Sequence, residues 1–494
     1  MPPEMTSTLE PTPEVTASTS AVAPKRRRGA VVSILPLVLL AGVFVVLVRF
    51  ASTPLHNSDT FFHLRFGHEF LAGNWSLGDP GSVSTFATRD WVPTQWLPQL
   101  VMARTEDWFG LAGVAWLAGL QFLGLAVALY AAARRWADPI VASPLVLVAL
   151  IASGSGMSMR PQVISYLLVA VTTAAWLRAS ETRRAPWWLV PLTWMWAMCH
   201  GMWPVGIVLG LVAVTGMALD RKVGGAGLAR MAAVPVLSLV ASCLTPVGPG
   251  LFSAVLLVNS RAQYFSEWGP PDFTSINCLA LLALLAGTLL AMLRRREALP
   301  WTQVLLVLLA LGWAVYSLRT VPVAAATLVP LAAMALQADI GERTRVSRGE
   351  RVFVAGAFVA ALAVLALLVP RTADEPAPQP DWVDPALSSL PAGTKILDES
   401  VAGGYLMWRY PALDLMMHGY GDTYTDAELQ RNVDISSLRP GWDDLVRESD
   451  VAYALLPPES LLAYALREQE GWTVLHDAPD VQMLQPPDGW MTGD

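Results

Sequence analysis

Twenty residues without a charge until the penultimate one, "VVSILPLVLLAGVFVVLVRF" (31–50), constrain this chain more than any other feature. A helix needs roughly 20 apolar residues to cross the hydrocarbon core of a bilayer, and in lipid a backbone must satisfy its own polar groups. Further runs of this kind include "LALLALLAGTLLAML" (279–293) and "VFVAGAFVAALAVLALLVP" (352–370). Only 15% of the 494 residues are charged, against about 25% in ordinary soluble domains. Most of the chain is therefore expected inside a membrane. Counting apolar runs gives about eleven helices: 31–50, 111–133, 139–155, 162–177, 186–202, 204–219, 231–247, 276–293, 300–318, 321–338 and 352–370.

Basic residues orient the spans, because Lys and Arg collect on the cytoplasmic side. With the N-terminus inside, the inner segments hold nineteen of the thirty-three, from Lys25–Arg28 to Arg343–Arg351. The longer outer connections hold seven: Arg49, Arg65, Arg89, Arg104, Arg160, Arg261 and Arg319. The expectation is a multi-pass plasma-membrane protein with a cytoplasmic N-terminus and an extracytoplasmic C-terminus. Residues 1–30, rich in Pro, Ser and Thr, are expected to form a disordered tail. The run after Lys25–Arg28 is too long for a signal h-region and has no small-residue cleavage site, so it is read as a retained helix.

Three domains follow: the tail (1–30), a transmembrane domain (31–370) with a large first outer loop (51–110), and an outer α/β domain (371–494). In the last, "TKILDES", "LDLMMHG", "VAYALLPP" and "VQMLQPP" read as strands, and "ESLLAYALREQEG" as a helix closed by Gly471. Twenty-two acidic against seven basic residues there exclude nucleic acid or anionic lipid as partners bound by charge. Three cysteines at unrelated spacing support neither a disulfide framework nor a zinc motif.

On this topology all six histidines face outward, and polar groups at the mouth of a bundle are functional candidates. "NSDTFFHLRFGHEF" (57–70) has helical character, with Asp59 and His63 on one face. Phe62, Phe66 and Phe70 follow a neighbouring face, which suits a helix lying in the interface. A second interfacial helix is expected near "TQWLPQLVMARTEDWFG". The bland alternatives are clear: Asp59 as an N-cap, His68 and Glu69 as solvated residues, Arg160 and Arg319 as headgroup anchors, His200 as a hydrogen-bonded bundle residue. Glu267 beside Trp268 fits sugar contact or loop structure equally.

Taken together, these residues resemble the GT-C superfamily of integral membrane glycosyltransferases, and within it a group of bacterial, often actinobacterial, GT-C-like proteins. The resemblance rests on Asp59, His63 and Gly67; Asp79, Pro80 and Ser82; Arg160, Pro161 and Gln162; His200 and Gly201; Glu267 and Trp268; and Gly403 to Leu406. Two stretches depart from the group's pattern: Thr245-Pro246 where Asn-Pro is usual, and "HGYGD" (His418–Asp422) in place of an Asp-Gly-Arg-like element.

The resemblance implies a GT-C-like all-α membrane bundle carrying a small outer α/β domain. It implies an inverting glycosyltransferase, moving a sugar from a polyprenyl-phosphate donor to an envelope glycan, lipid or protein acceptor. Asp59 becomes the general base by motif position. An oxocarbenium-like transition state suits a carboxylate, and a leaving phosphate suits arginine. Arg65, Arg160 and Arg319 are the candidate phosphate donors, with His63, His200 and Glu267 as further substrate contacts. No cofactor is expected; a divalent metal on Asp59, His63 and Glu267 is conceivable by ligand type alone. The rival readings are a transporter or flippase, which predicts broken helices in paired halves, and a GT-C-shaped but non-catalytic assembly protein.

Overall fold

The computed structural model describes residues 30–295 and 298–490. The tail expected over 1–30, with its Lys25–Arg28 cluster, lies outside them except for Ala30. Helix α1 (Ala30–Ala51) is followed by α2 (Ser58–Leu71), α3 (Trp96–Arg134), α4 (Pro139–Ala152), α5 (Gln162–Thr182), α6 (Leu189–Cys199) and α7 (Pro204–Leu219). Then come α8 (Gly225–Ser242), α9 (Gly250–Arg261), α10 (Ile276–Leu293), α11 (Trp301–Tyr316), α12 (Val321–Ile340) and α13 (Arg348–Thr372). Every apolar run contains a helix. Among the described residues, seven stretches are long and apolar enough to cross a membrane: Ile34–Ala51, α3, α5, α8, α10, Leu318–Ile340 and α13. α4, α6, α7 and α11 are shorter apolar helices. The chain is an integral membrane protein built as a helical bundle.

Helix α12 is the centre of the bundle: 83% of its apolar window is buried, against 11% for α13 on the rim. The second interfacial helix and the following span are one 39-residue element, α3, bent at Gly110, where φ is +62°. That backbone has a positive φ that only glycine adopts without strain, so the helix kinks there.

At one end of α4 and α12 a closed polar network ties four segments together. Glu350 accepts from Arg134 Nε at 2.6 Å and Nη2 at 3.0 Å, and from the Tyr130 hydroxyl at 3.0 Å. Arg134 also reaches the carbonyls of Ala137 and Thr344. Beside it, Asp138 accepts from the Thr344 amide and hydroxyl.

After α13 the chain forms a five-stranded sheet, with strands β1 (Lys395–Asp398), β2 (Asp414–Leu415), β3 (Tyr453–Leu456), β4 (Thr473–Asp477) and β5 (Gln482–Gln485). Its order is β2-β1-β3-β5-β4; β1 runs parallel to β2 and β3, while β5 is antiparallel to β3 and β4. Helices α14 (Val383–Ser388), α15 (Ser400–Arg409), α16 (Asp426–Ser436), α17 (Trp442–Glu448) and α18 (Leu461–Glu468) complete it. All four expected strands form. β4 escapes a sequence reading because its residues are all exposed, so no buried run marks it.

Helix α2 joins the two parts. Phe61 and Leu64 pack into the bundle core, whereas Phe62 and Phe66 are buried under the sheet domain with Trp91 and Tyr420. The phenylalanine face expected to lie in the interface is therefore covered by the C-terminal part of the chain. α15 packs along α2, with the Gly404 amide donating to Ser58 Oγ at 2.8 Å.

Candidate active site

Asn57, not Asp59, caps α2: its side chain accepts from the Asp59 amide at 3.0 Å. This frees the Asp59 carboxylate, in the first helical turn, to point elsewhere. Thr60 donates to the Met159 carbonyl at 2.9 Å and so pins the start of α2 to the loop carrying Arg160. That loop follows α4 as a short 3₁₀ turn (Gly154–Gly156) and ends where Pro161 opens α5.

Arg160 is the hub. One terminal nitrogen pairs with Asp59 Oδ2 and, at 2.8 Å, with Glu267 Oε1. The second oxygen of Glu267 lies 3.6 Å from Arg319. The Arg319 guanidinium in turn sits 5.0 Å over the Trp268 ring, a cation–π arrangement. The geometry is fixed locally: Leu318 donates its amide to the Gly269 carbonyl, and Ser317 with Thr320 forms a capping box that seats Arg319 just before α12. The four residues come from α2, the α4–α5 loop, the segment after α9 and the turn before α12.

Burial divides the cluster. Arg160 is 8% exposed, while Asp59 and Glu267 are 38% and 41% exposed, so a buried cation holds two accessible carboxylates. Burial alone would lower the Arg160 pKa, but Asp59 and Glu267 outweigh it and hold it above its ordinary value. Next to the cluster opens a small cleft, lined by Arg160, Gln162, Tyr166, Glu267, Leu318 and Arg319 among others. Arg160 Nε, the Tyr166 hydroxyl and Gln162 Oε1 are buried without hydrogen-bond partners among the described residues. Unmet polar groups of this kind cost about 1–3 kcal/mol each unless something supplies the missing partner.

His63 is 3% exposed, and its Nδ1 faces Gln99 Nε2 at 3.2 Å. An amide nitrogen only donates, so Nδ1 accepts and the neutral ring carries its proton on Nε2. Burial, followed by the charges of Arg160 and Arg319, pushes its pKa down to about 3. His63 is thus a neutral donor and brings no positive charge. His200 ends α6 in an extended conformation; its Nδ1 takes hydrogen bonds from Ser165 Oγ at 2.9 Å and the Met202 amide at 3.3 Å. Arg319, His63 and Arg160 all lie within electrostatic reach of it.

The structure therefore gathers Asp59, Arg160, Glu267 and Arg319, with His63 and His200 behind them. Arg65 stands apart, on another side of α2, where it pairs with Glu69 at 2.7 Å. His68 and Glu69 are not merely solvated. His68 Nε2 meets Glu106 at 2.8 Å and holds α2 to α3, which keeps its pKa above the ordinary value. Among the described residues, no group of three or more His, Cys, Asp or Glu is placed to hold a metal ion. Between Asp59 and Glu267 stands the Arg160 guanidinium. Tyr166 was not a sequence candidate, because an aromatic inside an apolar helix reads as core. Its spacing of six from Arg160 gives no separate signal.

The bundle, the α2–α3 pair and the C-terminal sheet domain together form a fold shared with solved membrane proteins. The archaeal oligosaccharyltransferase AglB from Archaeoglobus fulgidus, solved with an inhibitory peptide and a dolichol-phosphate, is similar with a TM-score of 0.58. Identity is 11%, over 92% of this chain and 74% of AglB. ArnT from Cupriavidus metallidurans in the apo state is similar with a TM-score of 0.52 at 16% identity, over 92% of this chain and 98% of ArnT. No protein-family model matches the sequence, and no curated protein matches it.

Proposed function

We propose that this protein is a membrane glycosyltransferase that moves a sugar from a polyprenyl-phosphate donor to an acceptor in the cell envelope. The observation that carries the reading is the junction at Arg160: one buried guanidinium links Asp59 of α2 to Glu267 and, through it, to Arg319, beside a cleft with unmet polar groups. The sugar phosphate supplies what those groups lack. Its oxygens would take the charge-assisted hydrogen bonds that Arg160 and Arg319 now give to carboxylates, and Arg geometry favours such oxyanions. At the cleft wall Gln162 Oε1 would accept from a sugar hydroxyl, and the Tyr166 hydroxyl would meet a sugar or phosphate oxygen. The bound dolichol-phosphate of AglB gives independent support for a lipid-phosphate donor on this fold.

In the reaction an acceptor oxygen attacks the anomeric carbon. Asp59 takes the acceptor proton, the bond from carbon to phosphate oxygen breaks, and polyprenyl phosphate leaves on Arg160 and Arg319. A single displacement inverts the anomeric centre, and no enzyme nucleophile is required. Released from Arg160 by the phosphate, Glu267 offsets the developing positive charge on the sugar. His63 and His200 serve as neutral hydrogen-bonding supports. Arg65, paired with Glu69, serves the fold of α2.

The test is transfer from radiolabelled polyprenyl-phosphate sugars in membranes carrying wild-type protein or Asp59→Ala. Wild type is expected to incorporate label and Asp59→Ala to lose it by about 10²–10⁴-fold, the usual range for a general base. Equal incorporation by both would remove Asp59 from this role.

A further inference from the structure

The stretch "HGYGD" (418–422) belongs to the C-terminal domain, yet it is bound to the helical part from several sides. Arg261, at the end of α9 and 3% exposed, donates to the carbonyls of Gly421 and Tyr424, with Asp426 at 3.3 Å. The Arg89 amide donates to the Thr423 carbonyl at 2.9 Å. Phe265 packs on Gly421 so closely that any side chain at 421 would overlap its ring, and Phe265 is two residues from Glu267. Glycine at 421 is thus a condition of the close approach.

This clamp delivers two polar side chains to the cluster. The Tyr420 ring is wedged among Phe62 (5.6 Å between centroids), Phe66 (4.7 Å) and Trp91 (5.5 Å). Phe62 lies three residues beyond Asp59, on the same stretch of α2 face. The Tyr420 hydroxyl is buried with no hydrogen-bond partner among the described residues, and the charges of Asp422, Asp59 and Arg319 all reach it. Asp422, half-buried, lies within reach of Arg261, Arg319 and Arg89.

We propose that Tyr420 and Asp422 form the acceptor side of the site, so that the C-terminal domain positions a hydroxyl-bearing acceptor against Asp59. The inference rests on the glycosyltransferase reading. Its physical basis is a division of charge. The cleft on the Arg160–Arg319 side presents two guanidinium groups, which suit a phosphate. A carboxylate at 422 repels phosphate but accepts a hydrogen bond from a hydroxyl, and the unmet Tyr420 oxygen offers a second contact. The acceptor must approach Asp59, whose charge reaches the Tyr420 hydroxyl held by the clamped strap. Both residues are positioning residues.

The experiment follows a polyprenyl-phosphate [¹⁴C]hexose in membranes with their endogenous acceptors, separating label joined to acceptor from label released to water as free sugar. In Tyr420→Phe and Asp422→Asn the ratio of joined to released label is expected to fall about tenfold each. Competition by unlabelled polyprenyl phosphate should stay as in wild type. A merely structural role would lower both products in proportion and leave the ratio unchanged. That result, or wild-type ratios in both variants, overturns the inference alone. Wild-type membranes yielding neither product would overturn the glycosyltransferase reading and this inference together. Tyr420→Phe removes one buried oxygen and keeps the ring, so it decides the matter if Asp422→Asn does not fold.

Discussion

The two ends of α4 and α12 carry charge clusters of similar composition and opposite character. At one end Arg134 and Glu350 are 4% and 8% exposed, paired through two nitrogens and two oxygens, with Tyr130, Ala137 and Thr344 taking up further hydrogen bonds. At the other, Arg160 is as buried, but its two carboxylate partners are more than a third exposed, and its own Nε, Gln162 Oε1 and the Tyr166 hydroxyl lack partners among the described residues. A buried pair holds structure when every group is met. A cluster that buries the cation, leaves the anions open and keeps unmet groups in a cleft is prepared for a ligand. The contrast separates stabilising from reactive charge more sharply than burial does.

The largest effect expected from breaking this contrast is at Asp59. Asp59→Ala should abolish about 10²–10⁴-fold of sugar transfer while thermal unfolding in detergent shifts little, because its carboxylate is half open. Glu350→Ala should do the reverse. It leaves Arg134 buried and unpaired, which costs about 3–5 kcal/mol of stability, seen as a lowered unfolding midpoint, with transfer per folded molecule retained. If Glu350→Ala lost transfer and kept its midpoint, the two ends would have to exchange roles.

Arg319→Lys keeps the charge but loses the planar fork and its stacking on Trp268. We expect the donor KM to rise about tenfold with kcat less affected, read from initial rates over a donor concentration series. An unchanged KM would move the phosphate contact away from Arg319.

The smallest effect concerns His68, a tie of a third kind, lying between the saturated and open ends in exposure. Its hydrogen bond to Glu106 raises its pKa in the folded protein. A raised histidine stabilises fully below its unfolded pKa, and that contribution is lost as pH rises through the folded value. Going from pH 6 to pH 8.5 should therefore cost wild type about 0.2–1 kcal/mol relative to His68→Gln, the range for exposed pairs. Parallel unfolding midpoints for the two proteins across that range would remove the tie.

The apolar helices, α2, α18 and four of the five strands were legible because their signals are local, whereas α9 and α14 to α17 were not. An apolar run of sufficient length has one physical outcome in a bilayer, and short, largely buried runs mark β1, β3 and β5. Asp59, Arg160, Glu267 and Arg319 stood out because charge at the end of an apolar helix has few reasons to be there. Their partnership did not stand out. Nothing near Asp59 in sequence announces Arg160, 101 residues on, and a local reading makes Asp59 a cap when Asn57 already fills that place. Arg65 carried the same local credentials as Arg160; the turn of α2 sent it to Glu69 instead.

By itself, then, the sequence determined that this chain crosses a membrane in many helices, ends in a small α/β domain and concentrates polar groups at helix ends. Those properties follow from transfer free energies and backbone hydrogen bonding, which act residue by residue. Only the tertiary structure decided that one arginine joins two distant carboxylates, that the α2 phenylalanines lie beneath the C-terminal domain, and that "HGYGD" reaches the cluster through Arg261. These depend on how packed surfaces bring segments hundreds of residues apart within hydrogen-bond range, which no local pattern encodes.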